Sequence, residues 1–323
     1  MNVLVTGAGG FIGSHLAERL AERGDSVRAF VHYNSRNLWG WLEESPLRGE
    51  MEILSGDIRD YDMVKKAVSG CSAVFHLAAL IGIPYSYASP LAYVRTNVEG
   101  TYNVLQAARE SGGIPVIHTS TSEIYGTARY VPIDEGHPVS PQSPYAATKA
   151  SADHLALSFA RSFDLPVTVV RPFNTFGPRQ SARAIIPTII SQILDDKDSL
   201  SLGNLAPTRD LTFVDDTVSG FLAAAGSRET VGEVVNLGTG REISIGGLAR
   251  LIAEIMGSSV RIVPDPRRLR PAASEVERLL SCPDKMRRLT GWHAAVSLEE
   301  GLARTVEWMR GRSGLYKSDI YNV

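Results

Sequence analysis

Tyr145 and Lys149 lie four residues apart in the stretch SPYAATK (Ser143 to Lys149), a spacing that puts both side chains on one face of a helix, one turn apart. A phenol beside an ammonium can serve as a general base. To accept a proton from a substrate hydroxyl the phenol must approach its phenolate form, and bringing a reference pKa of ~10 to ~7 takes ~3 units or ~4 kcal/mol, about what one ammonium at ~4 Å supplies at an effective dielectric of ~20. A tyrosine and a lysine on an exposed helix face are common. This pair stands out because Ser120, Thr121, Ser122 and Glu123 end the preceding apolar run, at the carboxyl edge of the sheet where ligands sit.

A second constellation opens the chain, where Thr6-Gly7-Ala8-Gly9-Gly10-Phe11-Ile12-Gly13 follows a short apolar run and precedes an amphipathic stretch. Gly7, Gly10 and Gly13 then stand at a strand-to-helix turn, where missing side chains let backbone amides reach a pyrophosphate at the positive helix end. A dinucleotide coenzyme is expected. The usual NAD fingerprint wants an acidic residue about 20 positions on, and this chain has Val31-His32-Tyr33-Asn34-Ser35-Arg36 there instead. A carboxylate would repel a 2′-phosphate, whereas His32, Asn34, Ser35 and Arg36 could bind one, so the sequence mildly favours NADP over NAD. Polar residues also fill loops for no such reason. Asp57, after Gly56, is placed to accept a hydrogen bond from an adenine amino group, while Asp60 is the better cap for a helix from Tyr61.

These groups need a scaffold, and the hydrophobic rhythm supplies one. VLVT (Val3 to Thr6), VRAFV (Val27 to Val31), MEIL (Met51 to Leu54), AVFHL (Ala73 to Leu77), PVIHTS (Pro115 to Ser120) and VTVVR (Val167 to Arg171) read as buried strands. Helical spacing runs from Phe11 to Arg23, Tyr61 to Ser69, Leu91 to Ser111 and Pro144 to Phe163. The alternation predicts an α/β fold, a Rossmann-type doubly wound parallel sheet with a smaller C-terminal α/β substrate-binding domain. After Asn174 Pro and Gly punctuation increases. LTFVDD (Leu211 to Asp216), a helix to about Ala225 and EVVNLG (Glu233 to Gly238) then look like a return to the sheet. The expected division is 1–173 with 211–238 for the dinucleotide-binding domain, 174–210 with 239–311 for the substrate domain, and a tail over 312–323.

Composition narrows the function classes. At 323 residues, 44% hydrophobic and 21% charged, the chain is an ordinary globular protein with room for a sizeable core. Lys and Arg total 33 against 35 Asp and Glu, a net charge of -2, without the basic footprint of a nucleic-acid binder. Cys71 and Cys282 are the only cysteines, too few for a disulfide scaffold or a thiolate metal site, and they suit a reducing compartment. No basic leader and no stretch of ~18 apolar residues is present. A cytoplasmic protein with no metal, nucleic-acid or membrane partner is expected.

Five ordered motifs, TGAGGFIG, HLAA (His76 to Ala79), TSTSEIYG (Thr119 to Gly126), SPYAATK and RPFNTFGPR (Arg171 to Arg179), resemble the extended short-chain dehydrogenase/reductase superfamily over nearly the whole chain. Many of its members modify nucleotide-diphosphate sugars with tightly held NAD or NADP. YNSRNLWGWL, HLAALIGIPYSYASP, RPFNTFGPRQSARAIIPTII and PTRDLTFVDDTV look in particular like the NDP-N-acetylglucosamine 4,6-dehydratases of legionaminic acid biosynthesis.

The resemblance implies that Tyr145 is the base at the sugar 4-hydroxyl, with Lys149 its electrostatic partner and Thr121 bonded to the same hydroxyl. Glu123 would take the proton at carbon 5 before water leaves carbon 6. An epimerase has no use for that base, so Glu123 discriminates between the reactions. Ser122 stands where glucose-type dehydratases carry an Asp, although mannose-type dehydratases share Thr-Ser-Glu. So do glucuronate decarboxylases, which need a cation that Arg183 or Arg209 could provide. By the same resemblance Phe11, Ile12, Ile58, Leu77, Ala78, Ala79 and Thr119 line the coenzyme and Asn174, Arg209 and Arg270 the sugar-nucleotide diphosphate, where a planar guanidinium suits phosphate oxygens. Trp39 and Trp41 are read as packing anchors of a long loop. A homodimer through the helices at Leu91 to Ser111 and Pro144 to Phe163 is expected. A cofactor-sensing regulator would share the fold without the chemistry, and retention of Thr121, Glu123, Tyr145 and Lys149 together speaks against one.

Overall fold

The computed structural model describes residues 1–197, 199–269 and 271–316. Its strands in chain order are β1 (Asn2–Thr6), β2 (Ser26–His32), β3 (Met51–Gly56), β4 (Ala73–His76), β5 (Val116–Thr119), β6 (Val167–Pro172), β7 (Asn174–Phe176), β8 (Ser199–Leu202), β9 (Thr208–Arg209), β10 (Leu211–Phe213), β11 (Val234–Leu237), β12 (Ile243–Ser244), β13 (Arg261–Pro264) and β14 (Arg278–Leu279). The α-helices are α1 (Phe11–Glu22), α2 (Tyr61–Val68), α3 (Ile83–Ala88), α4 (Pro90–Tyr93), α5 (Gly100–Glu110), α6 (Pro144–Phe163), α7 (Ile185–Leu194), α8 (Val214–Gly226), α9 (Ile245–Ile255), α10 (Asp284–Thr290) and α11 (Leu298–Arg310).

β4 and β6 are buried along their whole length, the condition of parallel strands covered on both faces, which is why they read as unbroken apolar runs. One all-parallel sheet takes seven strands in the order β11-β6-β5-β4-β1-β2-β3. The chain leaves β1 toward β2 and β3, then returns to β4 on the other side of β1. The carboxyl ends of β1 and β4 therefore flank the topological switch point, where such sheets bind ligands. On one face α1 and α8 share an apolar core with α7, α9 and α11 through Leu16, Phe221, Ile189, Ile252 and Val306. On the other, α2, α5 and α6 pack through Val64, Val104 and Phe159. This is the doubly wound α/β architecture that the alternation predicts.

Beyond β6 the connections shorten. Leu211–Phe213 does not rejoin the main sheet but pairs with β7 in a ribbon of its own, because β11 already fills the open edge of β6. β12, β9 and β14 make a three-stranded sheet and β13 pairs with β8. Asp210, fully buried between β9 and β10, gathers these pieces: its carboxylate accepts hydrogen bonds from the amides of Thr239, Gly240 and Ser281. The described end of the chain is docked, with Tyr316 buried and its hydroxyl donating to the Gln180 carbonyl. Among the described residues no helix is long and apolar enough to cross a membrane.

The stretch read as one helix over Leu91 to Ser111 is α4, a π-helical segment at Val94–Glu99, and α5. The widened turn carries Asn97, whose amide brackets Leu80 by accepting from its N–H and donating to its carbonyl, and also donates to Thr148 on α6. One side chain thus ties the loop after β4 to α6.

Candidate active site

The turn from β1 to α1 is closed by contacts that only glycine permits. Gly7 has φ +71°, and a Cβ there would lie 2.8 Å from the Ala78 nitrogen; a Cβ on Gly13 would lie 2.2 Å from the Gly7 oxygen. Gly10 precedes α1 with no side-chain cap, and no acidic residue occupies the first turn, so the helix presents free N–H groups and the positive end of its dipole. Phe11 and Ile12 are half-buried in that turn, and Leu77, Ala78 and Ala79 are half-buried beyond β4.

A buried relay holds the two walls together. Thr101 gives its proton to the Asn97 carbonyl, so His76 Nε2 must donate to Thr101, and His76 Nδ1 must accept from Thr6. The Thr6 hydroxyl oxygen in turn accepts from the amides of Leu77 and Ala78. Burial keeps His76 neutral, well below the ordinary imidazole pKa. A backbone cradle that any Cβ would fill, at an uncapped helix end, fits a dinucleotide pyrophosphate.

At the end of β2, His32, Ser35 and Arg36 are exposed. Asn34 is occupied: its amide donates to the carbonyls of His32 and Leu38 and its oxygen accepts from the amides of Arg36 and Leu38, so it folds the loop. The loop continues to Trp41, whose amide donates to the Gly9 oxygen at 3.0 Å and whose ring meets Trp308 edge-on. Asp57 is engaged by the Arg59 guanidinium, which holds its carboxyl below the usual carboxylate range. Ile58 is buried in the core beneath Gly100.

Ser143 caps α6 by accepting from the Ala146 amide, and Pro144 occupies the first helical position. Tyr145 and Lys149 therefore fall in successive turns at the sheet's carboxyl edge. Both are buried. Opposite them Thr121 starts a 3-10 turn over Ser122–Tyr125, its hydroxyl accepting from the Glu123 amide at 3.2 Å. This turn packs against α6, where the Thr121 hydroxyl acts to lower and the Glu123 charge to raise the pKa of the Tyr145 phenol. Three of the predicted groups thus converge. Ser122 is buried at the start of the turn, and the Thr119 carbonyl accepts from Lys149 Nζ at 2.5 Å.

The electrostatics differ from the sequence-based arithmetic. Burial pushes the Tyr145 phenol above its ordinary value, against the Thr121 hydrogen bond and with Glu123 and Tyr93 adding to the rise. Burial also lowers Lys149 to about 8. Desolvation dominates because both groups lie inside the protein rather than at its surface, and Lys149 Nζ is engaged by the Thr119 carbonyl.

Of the residues expected at the substrate, Asn174 lies on β7 with its Oδ1 buried and, among the described residues, taking no hydrogen bond. Arg209 is buried on β9, donating to the Thr208 carbonyl and standing 3.8 Å from Glu275. Arg183 lies beside Gly82 and Tyr93. Arg270 lies outside the described residues; in the same segment Arg267 and Arg268 are both paired with Asp265. Sequence reasoning missed Tyr93, whose ring meets Tyr145 edge-on at 6.3 Å, and the polar groups beneath the turn. Ser120 donates to Asp153 at 2.7 Å, Arg171 donates to Asp153 at 3.0 Å and to the Tyr125 hydroxyl at 2.9 Å, and His118 Nε2 lies 3.3 Å from Asp153.

The family description for GDP-mannose 4,6 dehydratase matches residues 4–305. A UDP-glucose 4-epimerase of Mycolicibacterium smegmatis is 35% identical over 97% of this chain and 100% of its own length. A UDP-N-acetyl-alpha-D-glucosaminuronate decarboxylase of Bacillus cytotoxicus is 34% identical over 95% of this chain and 97% of its own. The crystal structure of DesIV, a dTDP-glucose 4,6-dehydratase from Streptomyces venezuelae with NAD bound, superposes with a TM-score of 0.87 at 31% identity, covering 98% of this chain and 99% of that one. With a glycine cradle at the switch point, a Tyr–Lys helix beside it and this likeness along nearly its full length, the chain belongs to the GDP-mannose 4,6-dehydratase family, nicotinamide-dependent nucleotide-sugar enzymes of the extended short-chain dehydrogenase/reductase type.

Proposed function

We propose that the protein is an NDP-hexose 4,6-dehydratase that converts UDP- or GDP-N-acetylglucosamine to the 4-keto-6-deoxy sugar. One observation carries the reading: the turn that holds Thr121 and Glu123 packs against α6, the helix that holds Tyr145 and Lys149. Base and carboxylate then address the same ring, and an epimerase needs no second base.

Tyr145 takes the proton of the 4-hydroxyl, steadied by Thr121, while Lys149 supplies positive charge from the next turn. A bound nicotinamide dinucleotide supplies a store for the hydride between its removal from carbon 4 and its return at carbon 6. The carbon-4 ketone acidifies the proton at carbon 5, which Glu123 removes; the electron pair forms the carbon 5–6 double bond, and the carbon-6 hydroxyl, protonated by the Glu123 carboxylic acid so formed, leaves as water. A solvent proton adds at carbon 5 as the hydride returns at carbon 6, and Tyr145 releases its proton to solvent. Gly7, Gly10 and Gly13 would hold the coenzyme, and Asn174, Arg209 and Arg270 the diphosphate.

NADP is the mildly favoured coenzyme, because β2 ends in exposed His32, Ser35 and Arg36 without a carboxylate. Asn34 contributes by shaping that loop. A tighter dissociation constant for NAD than for NADP would overturn this preference. A homodimer through α5 and α6 is part of the same reading.

Incubation with UDP- and GDP-N-acetylglucosamine, followed by mass spectrometry, tests the reaction. Loss of water is the expected result. An unchanged mass with an inverted 4-hydroxyl would instead make it an epimerase, and loss of carbon dioxide from a uronate a decarboxylase, with Arg183 beside Tyr93 as the cation.

A further inference from the structure

We propose that Arg171 is a positioning residue that fixes the turn carrying Thr121 and Glu123, gripping one end of it through Asp153 and the other through Tyr125. The proposal rests on the dehydratase reading of this site.

The turn is short, and both of its ends are anchored in the protein interior. At its start, the Ser120 amide donates to the Val170 carbonyl and the Ser120 hydroxyl donates to Asp153 Oδ2. At its finish, the Tyr125 hydroxyl donates to Asn236 Oδ1, while Asn236 Nδ2 donates to the Ile133 carbonyl. Arg171 joins the two ends. Its Nε donates to Asp153 Oδ2 at 3.0 Å and its Nη1 to the Tyr125 hydroxyl at 2.9 Å. Arg171 is 5% exposed, Asp153 1%, Tyr125 and Asn236 0%.

A buried ion pair is a poor source of stability, since apolar residues of similar volume often pack at least as well. What this one adds is geometry. A planar guanidinium can send rigid donors in two directions at once, which a lysine cannot. Through Asp153 it holds Ser120, and directly it holds Tyr125, and these two lie on opposite sides of Glu123 in sequence. Asp153 also follows Lys149 by one turn of α6, and Lys149 donates to the carbonyl of Thr119, the residue before Ser120. Lys149 and Asp153 thus set the start of the turn, and Arg171 passes that constraint across to its finish. Loss of the link should displace the carboxylate more than the phenol, because Tyr145 is held by α6 itself.

The test uses Arg171→Lys and Tyr125→Phe in the full-length holoenzyme, with thermal unfolding to check folding; Tyr125→Phe keeps the ring's packing if Arg171→Lys does not fold. Single turnovers of N-acetylglucosamine nucleotide in deuterated water report two steps separately, hydride removal at carbon 4 by absorbance of the reduced nicotinamide and proton removal at carbon 5 by deuterium uptake. Deuterium uptake is expected to fall about tenfold or more while carbon-4 oxidation falls less than about threefold. Equal losses in both steps, or no loss in either, would overturn the proposal. Wild-type protein that takes up no deuterium at carbon 5 would overturn the dehydratase reading and the proposal with it; wild-type uptake with an unchanged ratio in the variants would overturn the proposal alone.

Discussion

Burial acts on the two side chains proposed to drive oxidation at carbon 4 in opposite protonation senses. It raises the phenol of Tyr145 above its ordinary 10.0 and lowers the ammonium of Lys149 from 10.5 to about 8. Between those two lysine values the unfolded chain holds a proton that the folded one has released, so Lys149 makes stability rise with pH there; its contribution is complete above 10.5 and lost as pH falls through about 8. Tyr145 works the other way, because the unfolded tyrosine ionises first and stability falls above 10.0. For catalysis the charged lysine matters, so kcat/KM is expected to decline on the alkaline side with a midpoint near 8. Lys149→Arg, which keeps its charge, should remove that limb while lowering the rate; a pH profile of both proteins checks it. Glu123→Gln should abolish solvent exchange at carbon 5 yet leave carbon-4 oxidation possible, and Tyr145→Phe should cost about 10²–10⁴-fold in the oxidation itself. Undiminished exchange in the glutamine variant would exclude Glu123 as the base. Tyr145 and Lys149 were legible because a helical repeat reveals a shared face, and Thr121 and Glu123 because a strand visibly ends there. Asp153, Arg171 and Tyr125 were not, since their contacts join residues 18 and 46 positions apart and no local period records such pairings.

At the scale of elements, the strand-to-helix turn depends on close approach more than on flexibility. A Cβ on Gly13 would stand 2.2 Å from the Gly7 oxygen, and both partners are backbone, so neither can swing aside. Gly13→Ala is expected to shift the cradle and weaken coenzyme binding by about tenfold or more, read by calorimetric titration. Gly49→Ala is the control, because nothing lies within 4 Å of a Cβ there. Equal affinities in the two variants would show that the cradle does not grip the coenzyme. The main strands could be read from sequence because sheets buried on both faces demand continuous apolar runs. The π segment at Val94–Glu99 could not: its apolar positions continue those of a regular helix, and the widening serves Asn97, whose partners Leu80 and Thr148 lie on other elements. The two-residue strands β9, β12 and β14 are shorter than any alternation that could announce them.

For the whole molecule, the proposed homodimer would form on the outer side of α5 and α6. Tyr102 on α5 and Phe163 at the end of α6 are each 44% exposed. Tyr102 meets Phe159 edge-on, and the Arg109 guanidinium lies 3.9 Å from the Phe163 ring centre. Two such helix pairs packed face to face would hide these rings, and a stable interface of this kind buries about 1,200–2,000 Å². Sedimentation velocity should therefore give the mass of two chains for the wild type and of one for Tyr102→Glu, since a carboxylate in the packed centre would be desolvated without a partner. A wild type that sediments as a monomer at micromolar concentration would remove the dimer from the reading. Catalysis should survive the separation. The groups brought together at the site come from one chain: Ser143 sets the start of α6, Lys149 and Asp153 bind the end of β5 and the residue after it, and His76 fixes the coenzyme wall through Thr6. The glutamate variant is accordingly expected to bind coenzyme with wild-type affinity and to unfold at a lower temperature. A loss of coenzyme affinity equal to the loss of dimer would mean that the interface reaches into the site.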